Sequence, residues 1–475
     1  MSVEVSAPRA AKLPLAVDLD GTLIRTDVFF ESILTFLAAE PWRVFELLWW
    51  LTKGRAHAKA RLAEIAPVSP AELPYDARMV EWLRAESAAG RTIALATASD
   101  EKAARAIADH VGVFDAVLAS DGAVNNKSWR KAERLAAAYP EGFVYAGNER
   151  ADLKVWSVAK EAVVANARPA LARHVARTHS VERTFADERK PWSALIAAMR
   201  PRQWAKNILV FLPILAGQGW GDTPGMLDAW LAFFALCLGA SALYLVNDAF
   251  DIAADRRHPR KRTRPFASGE LSPAWGLAAA LALGVGALAL GGAAGVGTWV
   301  AAYMALSAFY TLWLKKLAIV DVFALAFFYV LRVLIGAEAT GFFASSWLLA
   351  FCGFFFLSLA LVKRVTEIEG APLNTRRGYR PTDAPALKTM GMASAFVSSL
   401  VLALYVQSSV ALAHYTAPDF LWALPAAAIF WLCRVWLLTV RGEMHDDPIV
   451  FAFRDGVSLL VGVTTAAAFA MAALG

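Results

Sequence analysis

Residues 247–265 read NDAFDIAADRRHPRKRTRP and follow directly on an apolar run, WLAFFALCLGASALYLV. Asp248, Asp251 and Asp255 are separated by three and four residues, and Asn247 lies four before Asp251. If the preceding helix continues, this spacing lines their oxygens along one face of its end. Carboxylates in that pattern suit Mg²⁺, which takes few protein oxygens and leaves positions for phosphate and water. The cations that follow, Arg262 and Arg264 among them, can grip remaining phosphate charge, arginine in bidentate fashion. The plain alternative is a solvated loop in which acids balance bases.

The elements that must position this cluster are membrane helices. The chain has 475 residues, 58% of them hydrophobic, and a mean hydropathy of +0.45. Residues 1–194 mix charged and apolar residues as a soluble domain does. Residues 195–475 are dominated by apolar runs of roughly 17–25 residues, long enough to cross a bilayer as helix. The net charge of +6 is gathered in loops between those runs, which argues for cytoplasmic loops of a membrane protein and against a nucleic-acid partner. Cys237, Cys352 and Cys433 all fall in apolar runs and read as buried small hydrophobes. The amino terminus has no apolar core flanked by a cleavage site, so no signal peptide is expected and the first domain stays in the cytosol.

Apolar runs give about nine spans, near 203–219, 228–247, 272–291, 294–314, 318–340, 347–363, 391–412, 419–440 and 456–474. Loops after the even spans carry the charge (RRHPRKRTRP, KKLAI, KRVTEIEGAPLNTRRGYR, RGEMHDDP). Those after the odd spans (GQGWGDTPG, GGAAG, TGFFASS, HYTAPDF) contain neither Lys nor Arg. The bias places the charged side, with the first domain, in the cytoplasm, the protein being multi-pass in the cytoplasmic (inner) membrane.

NDAFDIAADRRHPRKRTRPFASG resembles the N-D-x-x-D-x-x-x-D motif, with its following H-P and R-P-x-x-S/A-G, of the UbiA superfamily of intramembrane prenyltransferases, and the resemblance covers essentially residues 195–475. It implies that Asn247, Asp248, Asp251 and Asp255 hold a Mg²⁺-bound diphosphate as leaving group. Where members that ionise isoprenyl diphosphates carry a second aspartate-rich motif, this chain reads LVKRVTEIEG, with Lys363, Arg364 and Glu367. That K-R-x-x-E loop, RPRQWAKN (200–207) and DPIVFAFRD (447–455) are similar to the polyprenyl-phosphate phosphoribosyltransferase branch. There, the metal-bound donor is phosphoribosyl diphosphate and a lipid phosphate attacks ribose C1. A lipid phosphate is already anionic, so it needs positioning rather than a strong base, a task for Lys363, Arg364, Arg202 and Lys206; the last two read equally well as headgroup anchors. Arg332 and Glu338 lie in the fifth apolar run, at a spacing poor for a direct pair, and Arg332 is a further candidate. Asp321, near the start of that run, reads as cavity wall or as cap.

The first domain opens with LAVDLDGTLIRTD (15–27), an apolar strand ending in D-x-D-G-T. TIALATAS (92–99) follows, then NNKSWRKAERL, FVYAGNERADLKVW (143–156) and the strand-like EAVVAN (161–166). These ordered motifs resemble haloacid-dehalogenase (HAD) phosphohydrolases. The resemblance implies Asp18 as nucleophile and Asp20 as acid and base. Thr97, Ser99 and a lysine would hold the phosphoryl group, and Asp18, Asp20 and Asp152 would form the Mg²⁺ site. The lysine is Lys127 or Lys131, with K-A-E-x-L favouring Lys131. Asn148 stands where an acid is usual, which weakens the metal site without removing it. Roughly 70 residues after the first motif, with VFELLWWL (44–51), correspond to a helical cap; the apolar octet is too short to span a bilayer and reads as cap core or as a patch on the membrane or second domain.

The expectation is therefore a Rossmann-like α/β HAD domain with a helical cap over residues 1–170, a polar Arg-rich linker over 171–194, and an all-α UbiA-like polytopic membrane domain of about nine transmembrane helices over 195–475. Its function is Mg²⁺-dependent transfer of 5-phosphoribosyl from phosphoribosyl diphosphate to a polyprenyl phosphate within membrane lipids, the HAD domain then removing the ribose 5-phosphate; a homo-oligomer is left open. The rival within the superfamily is alkylation of an aromatic or other acceptor by an isoprenyl diphosphate, with a HAD domain that is inactive or serves another phosphate. A non-catalytic assembly protein or transporter is the rival outside it.

Overall fold

The computed structural model describes residues 12–121, 126–370, 378–444 and 447–474. The amino-terminal stretch read for a signal peptide, residues 371–377 of the basic loop after the sixth apolar run, and His445–Asp446 lie outside these. The chain forms two compact units, one of residues 1–198 with 244–279, the other of residues 199–243 with 280–475.

The first unit is built on a six-stranded sheet: β1 Leu15–Val17, β2 Ile93–Asp100, β3 Ala116–Ser120, β4 Val144–Gly147, β5 Glu161–Ala165 and β6 Val181–Phe185, in the order β3-β2-β1-β4-β5-β6. Every pairing is parallel, with Leu15 opposite Ile93 on one side and Val144 on the other. Central parallel strands are covered on both faces and so read as unbroken apolar runs, as Leu15–Val17 does with all three residues fully buried. The order reverses at β1, and the crevice beyond the carboxyl ends of strands at such a switch is where α/β sheets place ligands. Asp18 is the first residue past that end.

Between β1 and β2 lie α1 Val28–Ala39, α2 Val44–Thr52, α3 Arg55–Ile65 and α4 Ala77–Ala88. Asp27 starts α1 by accepting from the Phe30 backbone N–H at 3.2 Å, a side-chain N-cap. The cap has its own small core, in which Phe36, Leu47, Trp50, Ala58 and Leu62 are buried together. Leu47 and Trp50 of the octet thus serve as cap core, but Phe45, Leu48 and Trp49 are exposed. The remaining helices are α5 Glu101–Val111, α6 Trp129–Ala138, α7 Leu153–Trp156, α8 Pro169–Thr178 and α9 Pro191–Met199. Residues 171–194 are therefore no linker. They hold most of α8, the start of α9 and all of β6, which adds to the sheet through pairs such as Ala165 with Phe185. The polar look of VERTF misleads because an edge strand buries little: of its five residues only Phe185 is buried.

The membrane half runs through α10 Leu212–Ala216, α11 Thr223–Phe250, α12 Ile252–Arg257, α13 Pro273–Ala293, α14 Gly297–Leu312, α15 Val320–Thr340, α16 Ser346–Gly370, α17 Ala384–Val406, α18 Ser409–His414, α19 Ala423–Val440, α20 Pro448–Ala452 and α21 Gly456–Leu474. Among the described residues, seven helical stretches are long and apolar enough to cross a membrane, so the expected nine is corrected. The run at 203–219 is a tight 3₁₀-type segment, Pro201–Phe211, followed by α10; Pro213, inside the run, lacks the N–H a continuous helix needs. The run at 294–314 yields only the 16 residues of α14, about 24 Å at 1.5 Å per residue against a hydrocarbon core of about 30 Å. Cys237 and Cys352 are buried as expected, whereas Cys433 on α19 is exposed.

In the second unit the helices approach closely where side chains are smallest. A Cβ on Gly336 of α15 would lie 2.0 Å from the Val210 carbonyl oxygen, so nothing larger than hydrogen fits against that backbone. Some buried polar groups there link the helices: the Trp436 indole donates to Ser358 Oγ at 2.9 Å, which donates to the Gly391 carbonyl at 2.8 Å. We expect Gly336→Ala to cost about 2 kcal/mol by overpacking, read as a lowered thermal midpoint of the detergent-solubilised chain, while Gly353→Ala, with open space around it, leaves the midpoint within a degree or so of the original.

Candidate functional site

The carboxyl end of β1 delivers Asp18 and, two residues on, Asp20. Asp18 Oδ1 accepts from Lys131 Nζ at 2.6 Å, and Lys131 also donates to the Tyr145 hydroxyl at 2.9 Å. Tyr145 in turn donates to Asp152 Oδ1 at 2.8 Å, while Asp152 Oδ2 accepts from the backbone N–H groups of Asn148 and Glu149, both at 2.9 Å. Asp20 is fixed by the Val28 N–H on Oδ1 and the Ser99 hydroxyl on Oδ2, each at 2.9 Å. The buried Thr97 accepts from the Ser99 N–H at 3.0 Å. The two lysine alternatives separate cleanly: Lys131 is buried on Asp18, whereas Lys127 is half exposed and pairs with Glu149 at 3.1 Å.

Taking these groups out of water shapes their titration. Burial pushes the Asp18 carboxyl up to about 6, against the pull of Lys131 and with the help of Asp152. Burial likewise pushes Asp20 up to about 7, with Asp27 adding to the rise. For Lys131 burial acts downward, but Asp18 and Asp152 outweigh it and hold the ammonium above its ordinary value. Gly21 has φ +78°, and a Cβ there would meet the Asn148 amide nitrogen at 2.0 Å, so the D-x-D-G turn requires glycine where it passes Asn148. Among the described residues, Asn148 Oδ1 is buried without a hydrogen-bond partner, an orphan acceptor on the residue whose backbone N–H donates to the buried Asp152. A divalent ion suits that donor set. No trio of His, Cys, Asp or Glu converges on one point among the described residues, so such an ion would complete its shell with water and phosphate, the habit of Mg²⁺.

The acids at the end of α11 are arranged differently from their spacing. The helix ends at Phe250, and Asp251 sits at a break before α12, its side chain exposed. Asp248 and Asp255 are buried and share one guanidinium: Arg264 Nη1 lies 3.1 Å from Asp248 Oδ1 and 2.8 Å from Asp255 Oδ2. One face therefore joins Asp248 to Asp255 and leaves Asp251 outside. Arg264 supplies the positive charge between two carboxylates, and the same two carboxylates would hold a metal ion. Asn247 is half-buried, and Arg262 is exposed.

In the second unit, Lys206 and Lys363 meet on a single carboxylate, Asp447, at 2.7 and 3.3 Å. Burial opposes ionisation of Asp447, but the two ammonium groups outweigh it and bring its carboxyl down to about 2. Lys206 is part of the wall of a cavity of about 740 Å³ whose lining is mostly apolar, including Leu209, Phe355, Phe356, Trp431 and Val461, with a few hydroxyl groups such as Ser458 and Thr465. Arg364 departs from the expected anion-binding role: it is buried, pairs with Asp321 at 2.5 Å and is bonded to Glu367, while Asp321 also accepts from the Tyr379 hydroxyl. Asp321 is thus neither cavity wall nor cap but a counter-ion. Arg332 is likewise enclosed, donating to Asn207 at 2.7 Å and to the Tyr303 hydroxyl at 2.8 Å, with no pairing to Glu338 among the described contacts. Arg202 is exposed.

Against known proteins, the UbiA prenyltransferase family model matches residues 209–457, more than half of the chain. The chain belongs to the UbiA prenyltransferase family. An uncharacterized protein of Sinorhizobium fredii, y4nM, is 37% identical over 97% of this chain and 91% of its own length. Nodulation protein NoeC of Azorhizobium caulinodans is 35% identical over 57% of this chain and 92% of its own. Decaprenyl-phosphate phosphoribosyltransferase of Corynebacterium glutamicum is 38% identical over 44% of this chain and 66% of its own. Among solved structures, a digeranylgeranylglyceryl phosphate synthase aligns with 59% of this chain and 98% of its own at 14% identity and TM-score 0.42, and a phosphoserine phosphatase with 37% and 93% at 17% identity and TM-score 0.27.

Two site residues of this UbiA member escaped the sequence reading. Tyr145 links Lys131 to Asp152, and its signal was an aromatic in a strand, which core packing explains as well. Asp447 opens DPIVFAFRD, whose role depends on Lys206 and Lys363, 241 and 84 residues away. The lysine assignment has a direct check. On the expectation from its motifs that this domain hydrolyses phosphomonoesters, Lys131→Ala should lower hydrolysis of p-nitrophenyl phosphate by about a hundredfold or more, the loss of a charge held on Asp18, while Lys127→Ala stays within about twofold; equal losses would contradict the assignment.

Proposed function

We propose that this protein moves 5-phosphoribosyl from phosphoribosyl diphosphate to a polyprenyl phosphate, and that its amino-terminal domain then hydrolyses the ribose 5-phosphate of the lipid product. The observation that carries the reading is the pair Lys206 and Lys363 converging on Asp447, with Lys206 in the wall of an apolar cavity of about 740 Å³. A site with exchangeable cations beside a lipid-sized apolar chamber suits an amphiphile with an anionic head. The relatives named decaprenyl-phosphate phosphoribosyltransferase, 36% to 38% identical over their matched parts, support the same substrate class.

In the transfer, a phosphate oxygen of the lipid forms a bond to ribose C1 while the bond from C1 to the pyrophosphate oxygen breaks, the pyrophosphate taking the electron pair. Lys206 and Lys363 orient the attacking phosphate, and Asp447, displaced from them, leaves both ammonium groups for the lipid head. Asp248 and Asp255, already bridged by a cation in Arg264, would hold Mg²⁺, which when bound supplies positive charge to the departing pyrophosphate. Arg264, released from the carboxylates, remains beside that charge.

In the hydrolysis, Asp18 attacks phosphorus and the ribose O5 leaves with a proton from Asp20; Asp20 then takes a proton from the water that cleaves the aspartyl-phosphate. Lys131 steadies the phosphoryl oxygens, and Tyr145 keeps Lys131 and Asp152 in register. Asp18 and Asp152 would hold the metal there. Joining the two activities in one chain raises the effective concentration of the intermediate at the second site.

The test is mass spectrometry of lipids from membranes supplied with polyprenyl phosphate, phosphoribosyl diphosphate and Mg²⁺. Wild-type protein should yield polyprenylphosphoryl ribose, Asp18→Asn should accumulate the form still carrying the 5-phosphate, and Asp248→Asn should yield neither. Turnover of labelled isoprenyl diphosphate in place of phosphoribosyl diphosphate would overturn the reading.

A further inference from the structure

The helix α2 is apolar on both of its sides, and among the described residues only one side packs into a hydrophobic core. Leu47 and Trp50 are buried in the cap core. On the other side Phe45, Leu48 and Trp49 share a face at helical spacing and are 75%, 53% and 55% exposed, and Trp42, in the turn that leads into the helix, is 67% exposed. Four large apolar side chains gathered on about ten residues are more than the scattered exposure normal for a surface. Cations rim the patch: Lys53 Nζ lies 3.6 Å from the centre of the Trp49 ring, Arg43 sits between Glu40 and Glu46, and Arg55 is exposed at the start of α3. Tryptophan beside lysine and arginine is the composition of a helix lying at the boundary of headgroups and acyl chains.

Within the same unit, the cap is tied to the chain where it leaves the membrane. At 28 residues, α11 extends to about 42 Å, longer than the hydrocarbon core of about 30 Å, so its end reaches the headgroup level. Arg256 follows six residues after Phe250. Its guanidinium donates to both oxygens of Glu31 on α1 at 2.7 Å, a pair whose side chains are only 7% and 4% exposed, and to the Ala267 carbonyl at 2.9 Å. On the return to the membrane, Trp275 in the first turn of α13 packs edge-on against Trp192 at 5.0 Å, an aromatic pair suited to the interface. The helix next to α2 in the chain is thus held at the level of the bilayer surface.

We propose that the outer face of α2, with Trp42, Phe45, Leu48 and Trp49, seats in the headgroup region of the bilayer that the protein itself spans. The occupant of the patch is phospholipid. The seat makes the cap a peripheral membrane element, and it does not depend on the transfer reaction proposed above.

The experiment uses the full chain in lipid nanodiscs, with Cys237, Cys352 and Cys433 replaced by alanine and a nitroxide attached to cysteine at one position at a time: Phe45→Cys, Leu48→Cys, or Arg173→Cys on the exposed surface of α8 as an aqueous reference. Power-saturation resonance then compares collision with oxygen, which concentrates in lipid, and with a water-soluble nickel chelate. We expect the ratio of oxygen to nickel accessibility at positions 45 and 48 to exceed that at 173 several-fold. High nickel accessibility at 45 and 48 means the face lies in water and overturns the proposal. Low accessibility to both reagents means it is covered by protein, from this chain or a second copy, and overturns it equally. Labelling Trp42→Cys in a separate preparation guards against a misfolded variant: it must report the same environment as position 45 for the seat to stand.

Discussion

Charges withdrawn from water need compensation, and in this chain most of them meet an opposite charge, Arg332 with its neutral partners Asn207 and Tyr303 being an exception. Asp18 is met by Lys131, Glu31 by Arg256, Asp248 and Asp255 by Arg264, Asp321 by Arg364, and Asp447 by Lys206 with Lys363. Desolvation makes each uncompensated ion expensive by several kcal/mol. These pairs differ in what they allow. Arg364 and Asp321 are sealed on all sides, with 1% and 0% of their side chains exposed, and serve to fix helices α15 and α16. Lys363 keeps 35% of its side chain exposed and Arg264 keeps 28%, so those cations have room to exchange one anionic partner for another. In the membrane half the exchangeable pairs lie where chemistry with phosphates is proposed and the sealed pair of Arg364 and Asp321 does not, whereas in the first domain the enclosed pair of Lys131 and Asp18 is itself part of the proposed phosphate site.

Much of this arrangement was readable in the residues. LAVDLDGT announces a buried parallel strand with acids at its carboxyl end because three apolar residues in a row have no solvent face to alternate with. The acid-rich end of the second apolar run was equally plain. What escaped reading has physical causes. The helix breaks at Asp251, so its carboxylate turns outward although its spacing fits the others. Pro213 and the glycines before α14 shorten two apolar runs whose composition alone looks long enough to span. VERTF hides a strand because at the sheet edge only its last residue needs to be apolar. Arg364 looked like an anion grip because adjacent lysine and arginine read alike, yet on a helix neighbours point roughly 100° apart: Lys363 opens toward Asp447 and Arg364 turns into the core. Asp447 acts only through partners 241 and 84 residues away, which no local pattern marks, and Tyr145, seven residues from Asp152 and fourteen from Lys131, looks in sequence like any core aromatic of a strand.

The pair of Glu31 and Arg256 carries an implication for how the chain is made. Its members are 225 residues apart, so when the ribosome has completed the six-stranded sheet, Glu31 still has no guanidinium to meet it. The acid must stay hydrated, and α1 loosely docked, until the first long hydrophobic helix has been inserted and its trailing basic segment emerges. The cap of the first domain thus gains this contact only after the first long hydrophobic helix has been made, which ties its final docking to synthesis of the membrane half.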